Sequence, residues 1–330
     1  MDLKMAFRIK GTNLGIIKYT NKRNNITENN QTYTNRKKQS YKRKGEQNMV
    51  QGLQRHELIC TDSGCGKIFW MDKDGNITRE LVVGAACYDV WALPDGNVLY
   101  PFFSDKDSGV RIVTPEGKEL FSYHTTGEVF GCQPLENGNI LTGELIQKRL
   151  CEVNTNGEIV KEIPVVYEGT PHEAMRMPRK VKDGYLLVQP GLCKIAKYDL
   201  DGNFVRYYDT YHDTFGVVQR DNGNLIYTYM DGMVELDPDG REIWHLRDED
   251  VPGMNIRWLL GLQLLHNGNI VVTNWMGHGH NEEGIPFFEV TPDKKVVWYC
   301  DCRKYTALPA VAQILDETED RATVCYRPTK

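Results

Sequence analysis

Two kinds of glycine turn alternate along this 330-residue chain. In the first kind Asp-Gly or Asn-Gly is followed by Asn or Tyr, and its glycines are Gly96, Gly138, Gly184, Gly223 and Gly268. The second kind has the glycines Gly75, Gly117, Gly157, Gly202 and Gly240, and a copy without glycine at Asp293-Lys294. Within each series the glycines recur at about 40 to 45 residues, the spacing of four-stranded blades repeated around an axis. The sequence therefore predicts an all-β fold, a six-bladed β-propeller, with seven blades as the alternative.

Short apolar segments flank these turns, as in β-hairpins, and the Asx-Gly pairs predict type I′ turns, in which both central residues have positive φ. Residues 310–316 resemble an inner strand, and residues 67–71 and 77–81 resemble two outer strands of the same blade. The second strand of that blade could come from residues 57–61 or 323–327, and only one segment can hold the place. Strands from both termini are thus expected to close the ring and leave no open sheet edge.

Charge divides the chain into two parts. Residues 1–50 contain 12 Lys and Arg against 3 Asp and Glu, a balance of +9, and the remainder contains 28 against 42, a balance of −14. The first segment has no helical or strand periodicity and too little apolar area to offset its ordering entropy. We predict a disordered basic tail, or an extension ahead of a true start at Met49. Residues 51–330 are predicted to form a single propeller domain, whose acidity argues against a nucleic-acid partner.

Membrane and targeting signals are not evident in the sequence. No stretch approaches the roughly 18 apolar residues of a membrane-spanning helix, and the N-terminus lacks the apolar segment of a secretory signal. These features predict a cytoplasmic protein without a membrane span, which we expect to be a monomer. A mis-assigned start leaves a secreted or periplasmic location open.

Two of the repeats carry a family resemblance. Residues 237–244 (DPDGREIW) and 291–298 (TPDKKVVW) pass through a turn into an apolar strand that ends in Trp, and they resemble the repeats of quinoprotein-like (PQQ-like) propellers. The Asn-Gly-Asn turns followed by apolar strands are similar to those of arylsulfotransferase-like propellers. The resemblance covers about residues 57–327 and implies an architecture rather than a reaction. Quinoprotein dehydrogenases usually have more blades and a vicinal Cys-Cys pair, which this chain lacks, so PQQ is not expected as a cofactor.

Propeller topology gathers two sets of loops at one mouth of the central channel: the connections between blades, and those between the second and third strands. Ligands usually bind there. Residues 172–176 place an imidazole, a carboxylate and a guanidinium at the start of an inner strand, where alternation would put His172 and Arg176 on one face and Glu173 on the other. We predict catalytic roles for His172, Glu173, Arg176 and Arg257, with His172 as acid or base and an arginine steadying negative charge. The structural alternative is an ion pair between blades.

Other mouth residues are assigned to ligand and metal binding. The predicted ligand-binding residues at the mouth are Tyr88, His124, Trp258, Asn274 and Trp275. Trp258 and Trp275, with Asn274, would form a platform for a sugar, because an aromatic face suits the apolar face of a pyranose. In the longest mouth loop, His278-Gly-His280 could join His212 from a neighbouring blade in holding a divalent transition metal. The alternative is a glycine-rich loop whose histidines form local hydrogen bonds.

The sequence thus predicts a ligand-binding propeller that acts as a lyase or hydrolase on a carbohydrate or similar polar small molecule at the channel mouth. One alternative is a non-catalytic module that binds a protein or a glycan across the same face. A more distant alternative is a quinone-dependent oxidoreductase. Apart from the hypothetical metal, no cofactor is predicted.

Overall fold

The computed structural model describes residues 56–316, except residues 281 and 304. These residues form six antiparallel four-stranded sheets, and each sheet is one blade of a β-propeller. Blade 1 has the strand order β24-β1-β2-β3, with the strands β24 (Pro309–Ile314), β1 (Leu58–Asp62), β2 (Lys67–Met71) and β3 (Ile77–Val82). The predicted all-β, six-bladed ring that is closed by strands from both ends of the chain is confirmed.

The other five blades each use four consecutive strands, from the innermost to the outermost. Blade 2 has β4 (Trp91–Ala92), β5 (Val98–Phe103), β6 (Ser108–Val113) and β7 (Glu119–Thr125). Blade 3 has β8 (Cys132–Pro134), β9 (Ile140–Glu144), β10 (Arg149–Val153) and β11 (Ile159–Pro164). Blade 4 has β12 (Pro178–Val181), β13 (Gly184–Gln189), β14 (Lys194–Tyr198) and β15 (Phe204–Asp209). Blade 5 has β16 (Val217–Gln219), β17 (Leu225–Tyr229), β18 (Gly232–Leu236) and β19 (Glu242–Arg247). Blade 6 has β20 (Leu259–Leu264), β21 (Ile270–Asn274), β22 (Phe287–Val290) and β23 (Val296–Cys300).

Helical structure in the described part of the chain is limited to three 3₁₀ turns, at Pro171–Glu173, Pro190–Leu192 and Asp248–Asp250. Over residues 56–316 no helix has the length and apolar character needed to cross a membrane. The predicted basic tail, residues 1–50, lies outside the described residues.

Blade 1 is completed by β1, which pairs with β24 on one side and β2 on the other. Residues 57–61 therefore supply the second strand, and the rival segment 323–327 lies outside the described residues. His56 fastens this closure: its Nε2 lies 3.0 Å from Glu289 Oε2 and its Nδ1 lies 3.3 Å from Asp316 Oδ1. Both termini of the described chain are thus tied to blade 6.

Four of the five first-series turns, those at Gly96, Gly138, Gly223 and Gly268, share a geometry different from the predicted type I′. After β4 the Gly96 N–H donates to the Leu93 carbonyl at 2.9 Å, and the Leu93 N–H donates to the Asn97 carbonyl at 2.8 Å. Gly96 has φ +84°, whereas Asp95 is not among the residues with positive φ and instead accepts the Asn97 N–H at 3.0 Å. The type I′ prediction is wrong here because the loop is longer than two residues, so one left-handed glycine suffices and the Asx side chain caps the turn.

Side chains of the innermost strands, and in blade 5 of the second strand, tie adjacent blades together at five junctions. In each case a side chain of one blade bonds to the backbone of the next: Trp91 to Cys132, Gln133 to Lys180, Thr228 to Leu260, Gln263 to Ile314 and Gln313 to Ala92. All five bonds are at least partly shielded from solvent. The blades therefore hold one another at the axis, which gives the residues around the channel a rigid frame.

Candidate functional site

One side chain from the inner-strand region of each blade enters a single apolar cluster at the centre of the ring. The six are Tyr88, Phe130, Met177, Phe215, Leu260 and Ala310. Phe103, Trp258 and Trp275 are partly buried and pack against the same cluster. Apolar and aromatic side chains of all six blades therefore pack in one cluster.

Four of these six residues share a regular sequence spacing that the predictions from sequence did not use. Each stands eight positions before a first-series turn glycine: Tyr88, Phe130, Phe215 and Leu260. A glycine follows three of them, and a Cβ on Gly216 would lie 2.5 Å from the Leu260 carbonyl oxygen of the next blade. Neighbouring inner strands approach so closely that only glycine fits. This recurrence is the signal that could have identified Phe130 and Phe215.

The rings on one side of the cluster form a continuous aromatic surface. Tyr88 stacks on Phe103 with a centroid distance of 5.9 Å and an interplanar angle of 10°. Phe130 lies 5.3 Å from Tyr88 and 6.4 Å from Phe215, centroid to centroid. Offset and edge-to-face pairs of this kind are favourable arrangements of aromatic rings. Phe130 and Phe215 are buried in this stack, and Tyr88 is its partly exposed member.

Trp258 and Trp275 extend this surface and are fixed at their polar edges. Their rings meet edge-to-face at 5.5 Å and 84°. The Trp258 Nε1–H donates to the Asp213 carbonyl at 2.8 Å, and the Trp275 Nε1–H donates to Ser63 Oγ at 3.3 Å. Ser63 also bonds to the hydroxyl of Tyr88. The structure thus brings together three of the five predicted ligand-binding residues.

Arg176 is the charged group of the cluster, and only 7% of its surface is exposed. Its guanidinium carbon lies 4.2 Å from the centroid of the Phe130 ring. Nη1 donates to the carbonyls of His172 and Met175, and no carboxylate among the described residues forms an ion pair with it. Burial lowers the pKa of Arg176 to about 10, against the charge of Glu128 and other groups that raises it. The side chain therefore remains a cation at neutral pH.

His172 stands beside this cation, held by a carboxylate. Its Nδ1 lies 2.7 Å from Glu128 Oε2, and its ring meets Phe130 edge-on at 5.5 Å. The imidazole is 58% exposed, and no described residue bonds to its Nε2. In the tautomer whose Nδ1–H donates a hydrogen bond to Glu128, Nε2 is an acceptor. An oriented imidazole that is open to solvent can exchange a proton with a bound molecule.

The strand alternation expected for residues 172–176 is wrong. Pro171–Glu173 is a 3₁₀ turn that starts at the proline, and β12 begins at Pro178. His172 and Arg176 are therefore related by the guanidinium-to-carbonyl bond across this turn rather than by a shared strand face. We call Tyr88, Glu128, Phe130, His172, Arg176 and Phe215 the mouth cluster.

Glu173 and Arg257 have partners outside the mouth cluster. Glu173 is exposed, and its Oε2 accepts bonds from Thr170 Oγ1 at 3.1 Å and the Tyr167 hydroxyl at 3.5 Å. Arg257 is exposed, with Nη1 3.4 Å from Glu283 Oε2. In this structure the contacts of Glu173 and Arg257 are with neighbouring loop residues. The catalytic roles predicted for the two residues stay predictions.

His124 and Asn274 are also separated from the mouth cluster by their contacts. His124 is on the outermost strand of blade 2, with Nδ1 2.7 Å from Asp107 Oδ1. Asn274 is fully buried, and its Nδ2 donates to carbonyls of loop residues, including Asn255 at 3.1 Å and Ile285 at 3.2 Å. Its amide supports the long mouth loop from inside.

The three histidines predicted to bind a metal lie in separate surroundings. His212 Nδ1 lies 3.2 Å from Asp213 Oδ2, His280 Nδ1 lies 2.8 Å from Glu283 Oε1, and His278 packs edge-on against an indole ring. Within the described ranges no three His, Cys, Asp or Glu residues are grouped so that they could hold a metal ion. Each histidine has a local contact, as in the alternative considered for the loop.

No protein-family model matches the chain, and no curated protein is similar to it. Many solved structures are similar in fold, among them the following three. A protein of unknown function from Bacteroides caccae has a TM-score of 0.70 and 22% identity, over 80% of this chain and 100% of that one. A streptogramin B lyase has a TM-score of 0.55 and 15% identity, over 77% and 85% of the two chains. A catalytically inactive virginiamycin B lyase from Staphylococcus aureus with quinupristin has a TM-score of 0.55 and 15% identity, over 79% and 90%. At these identities the likeness shows the propeller fold alone.

Proposed function

We propose that this protein binds a polar small molecule at the channel mouth and acts on it as a lyase or hydrolase, with His172 as the proton-transferring group. The observation that carries the proposal is a buried guanidinium, without a carboxylate partner among residues 56–316 as described, next to an imidazole that Glu128 orients. A charged group is costly to bury without a partner. Its presence at an open mouth fits a role toward a ligand better than a role in packing.

In the proposed reaction Glu128 holds the imidazole of His172 through Nδ1, and Nε2 takes a proton from the bound molecule or returns one to the leaving group. The Arg176 guanidinium stabilises negative charge that develops beside it. Burial against Phe130 lowers the local dielectric, which strengthens this stabilisation.

The structural neighbours favour a lyase over a hydrolase in this proposal, because two of the three are lyases by name. An elimination also suits a mouth lined by apolar rings, since it consumes no water. The aromatic surface of Tyr88, Trp258 and Trp275 offers a stacking face for a sugar or another flat ring. Arg257 and Glu173, on the surrounding loops, are the proposed contacts for parts of a ligand that extend beyond the mouth cluster.

The test is turnover of a panel of β-substituted acids, lactones and glycosides by the wild type and by His172→Gln. We expect turnover of any accepted substrate to fall by about 10²- to 10⁴-fold, the usual contribution of a general acid or base. Because His172 is exposed, the melting temperature should stay that of the wild type. The control is Arg241→Gln, which breaks an exposed ion pair with Asp239 (3.0 Å) in a second-series turn and should keep full turnover. His172→Gln with wild-type turnover would show that the proposal is wrong, and binding of the panel without turnover would favour the non-catalytic module.

A further inference from the structure

Two buried arginines three residues apart in the chain differ in their partners. Arg179 is 5% exposed and forms an ion pair with Asp89, Nη1 to Oδ2 at 2.9 Å. Arg176 is 7% exposed, yet its hydrogen bonds to described residues go to two backbone carbonyls. Buried charges in proteins are normally paired with an opposite charge. The same segment therefore contains one arginine, Arg179, whose charge is paired within the described fold, and one, Arg176, whose charge has no carboxylate partner among the described residues.

The donors that remain on Arg176 suit a carboxylate. Both of its bonds to described residues use Nη1, which leaves Nε and Nη2 on the other edge of the planar group. Two parallel N–H donors at that spacing match the two oxygens of a carboxylate. A neutral hydroxyl or amide would satisfy at most part of this edge and none of the charge.

The acidic side chains around the guanidinium already have other partners. Glu128 bonds to the imidazole of His172 at 2.7 Å. Glu173 accepts bonds from two hydroxyl groups, and Asp213 Oδ2 lies 3.2 Å from His212 Nδ1. The charge of each is felt at Arg176, but the geometry directs each carboxylate elsewhere. The missing counter-charge is therefore external to the described residues.

Flat rings surround the place where that counter-charge would sit. Phe130 lies under the guanidinium, and Tyr88 and Phe215 flank Phe130 with centroid distances of 5.3 and 6.4 Å. Phe130 and Phe215 are buried, whereas Tyr88 is partly exposed, so a carboxylate on the free edge of Arg176 would place its substituent against Tyr88. The substituent must then present a flat, apolar face, which both an aryl ring and one side of a pyranose have.

We propose, on the basis of the function proposed above, that the ligand of this site is a carboxylic acid whose carboxylate pairs with Arg176 while its flat face lies on Tyr88. The two sources of this chemistry are aryl carboxylic acids and uronic acids. The inference narrows the substrate from polar small molecules in general to acidic ones.

The experiment measures equilibrium binding to the His172→Gln variant by NMR titration. This variant is used so that catalysis cannot affect the result. The probes are two matched pairs, phenylacetate against phenylacetamide and galacturonate against galactose. We expect at least one acid to bind about 10- to 100-fold more tightly than its neutral partner, the range for a hydrogen-bonded charged group. The pair that shows the preference identifies the source.

Adding Arg176→Gln to this background should remove the preference, and adding Arg176→Lys, which keeps the charge without the fork, should retain a weaker one. Thermal melts establish that each variant is folded, and Arg241→Gln is the matched surface control. The proposal is wrong if neither acid binds more tightly than its neutral partner, or if the preference survives in the folded Arg176→Gln variant. Acid binding in His172→Gln together with unchanged turnover in that variant would overturn the proposed catalytic role and leave the ligand class standing.

Discussion

Removing one member of the buried pair Asp89–Arg179 should destabilise the propeller strongly. The two side chains are 1% and 6% exposed and are joined by two bonds, Nη1 to Oδ2 at 2.9 Å and Nη2 to Oδ1 at 3.3 Å. Asp89 also accepts the backbone N–H groups of Val90 and Cys132 at 3.0 and 3.2 Å. The pair therefore connects the inner-strand regions of blades 2, 3 and 4, and Arg179→Met would leave a buried carboxylate without its cation.

The loss of one partner of a buried ion pair costs about 3 to 5 kcal/mol. For a domain of this size, 1 kcal/mol corresponds to about 2 to 4 °C in melting temperature, so Arg179→Met should melt about 6 to 20 °C below the wild type. Asp89→Asn with Arg179→Met should recover much of this loss, because the amide oxygen still accepts a backbone N–H and no buried charge remains.

Calorimetry of the two single variants and the double variant measures the coupling between the sites. Burial already raises the pKa of Asp89 above its ordinary value, against the opposing charge of Arg179. Without the guanidinium the folded state should take up a proton on Asp89 more readily than the unfolded state does, so the deficit of Arg179→Met should shrink as the pH falls. Additive losses in the double variant, or a single variant within about 1 kcal/mol of the wild type, would refute this reasoning.

Two further outcomes concern the ring closure and one hairpin. Burial opposes protonation of His56, but Glu289 and Asp316 outweigh this effect and raise the pKa of His56. The stabilisation from this group should therefore be complete below pH 6.5 and should be lost as the pH rises through the raised pKa. In denaturation curves taken across that pH range, His56→Gln should flatten the dependence of stability on pH, and an unchanged dependence would contradict the assignment. Gly184 has φ +150°, and a Cβ there would lie 1.9 Å from the Tyr198 carbonyl oxygen. Gly184→Ala should therefore lower the free energy of unfolding by about 1 to 3 kcal/mol or more. Urea denaturation measures this loss, and a wild-type midpoint would contradict the clash.

The blade pattern could be predicted because it depends on local chemistry. An Asx residue caps its own turn, as Asp95 does for Asn97, and a glycine supplies the left-handed conformation beside it. Both requirements act within a few residues, so each repeat shows them in the sequence. The exact turn type depends on loop length as well, and that is where the sequence-based expectation for these hairpins departed from the structure.

The candidate site could be predicted only in part because its contacts cross from blade to blade. Glu128 and His172 are 44 residues apart in sequence and meet only when the ring forms. Pro171 initiates a short 3₁₀ turn, which replaced the strand alternation expected up to Arg176. Nothing local distinguishes Arg176, which has no acidic partner in the described part of the chain, from Arg179, which has one 90 residues away. The aromatic residues, by contrast, could have been found from their regular spacing before the turn glycines.

The closure of blade 1 by the last strand has a consequence for synthesis of the protein on the ribosome. About 250 residues separate β1 from β24, so at roughly 5 to 20 residues per second β1 waits about 10 to 50 s for the strand that covers its inner edge. During that time its backbone N–H and C=O groups on that side are open to pairing with other chains. The nascent protein is therefore open to misassembly at this edge until β24 has been synthesised and has paired with β1.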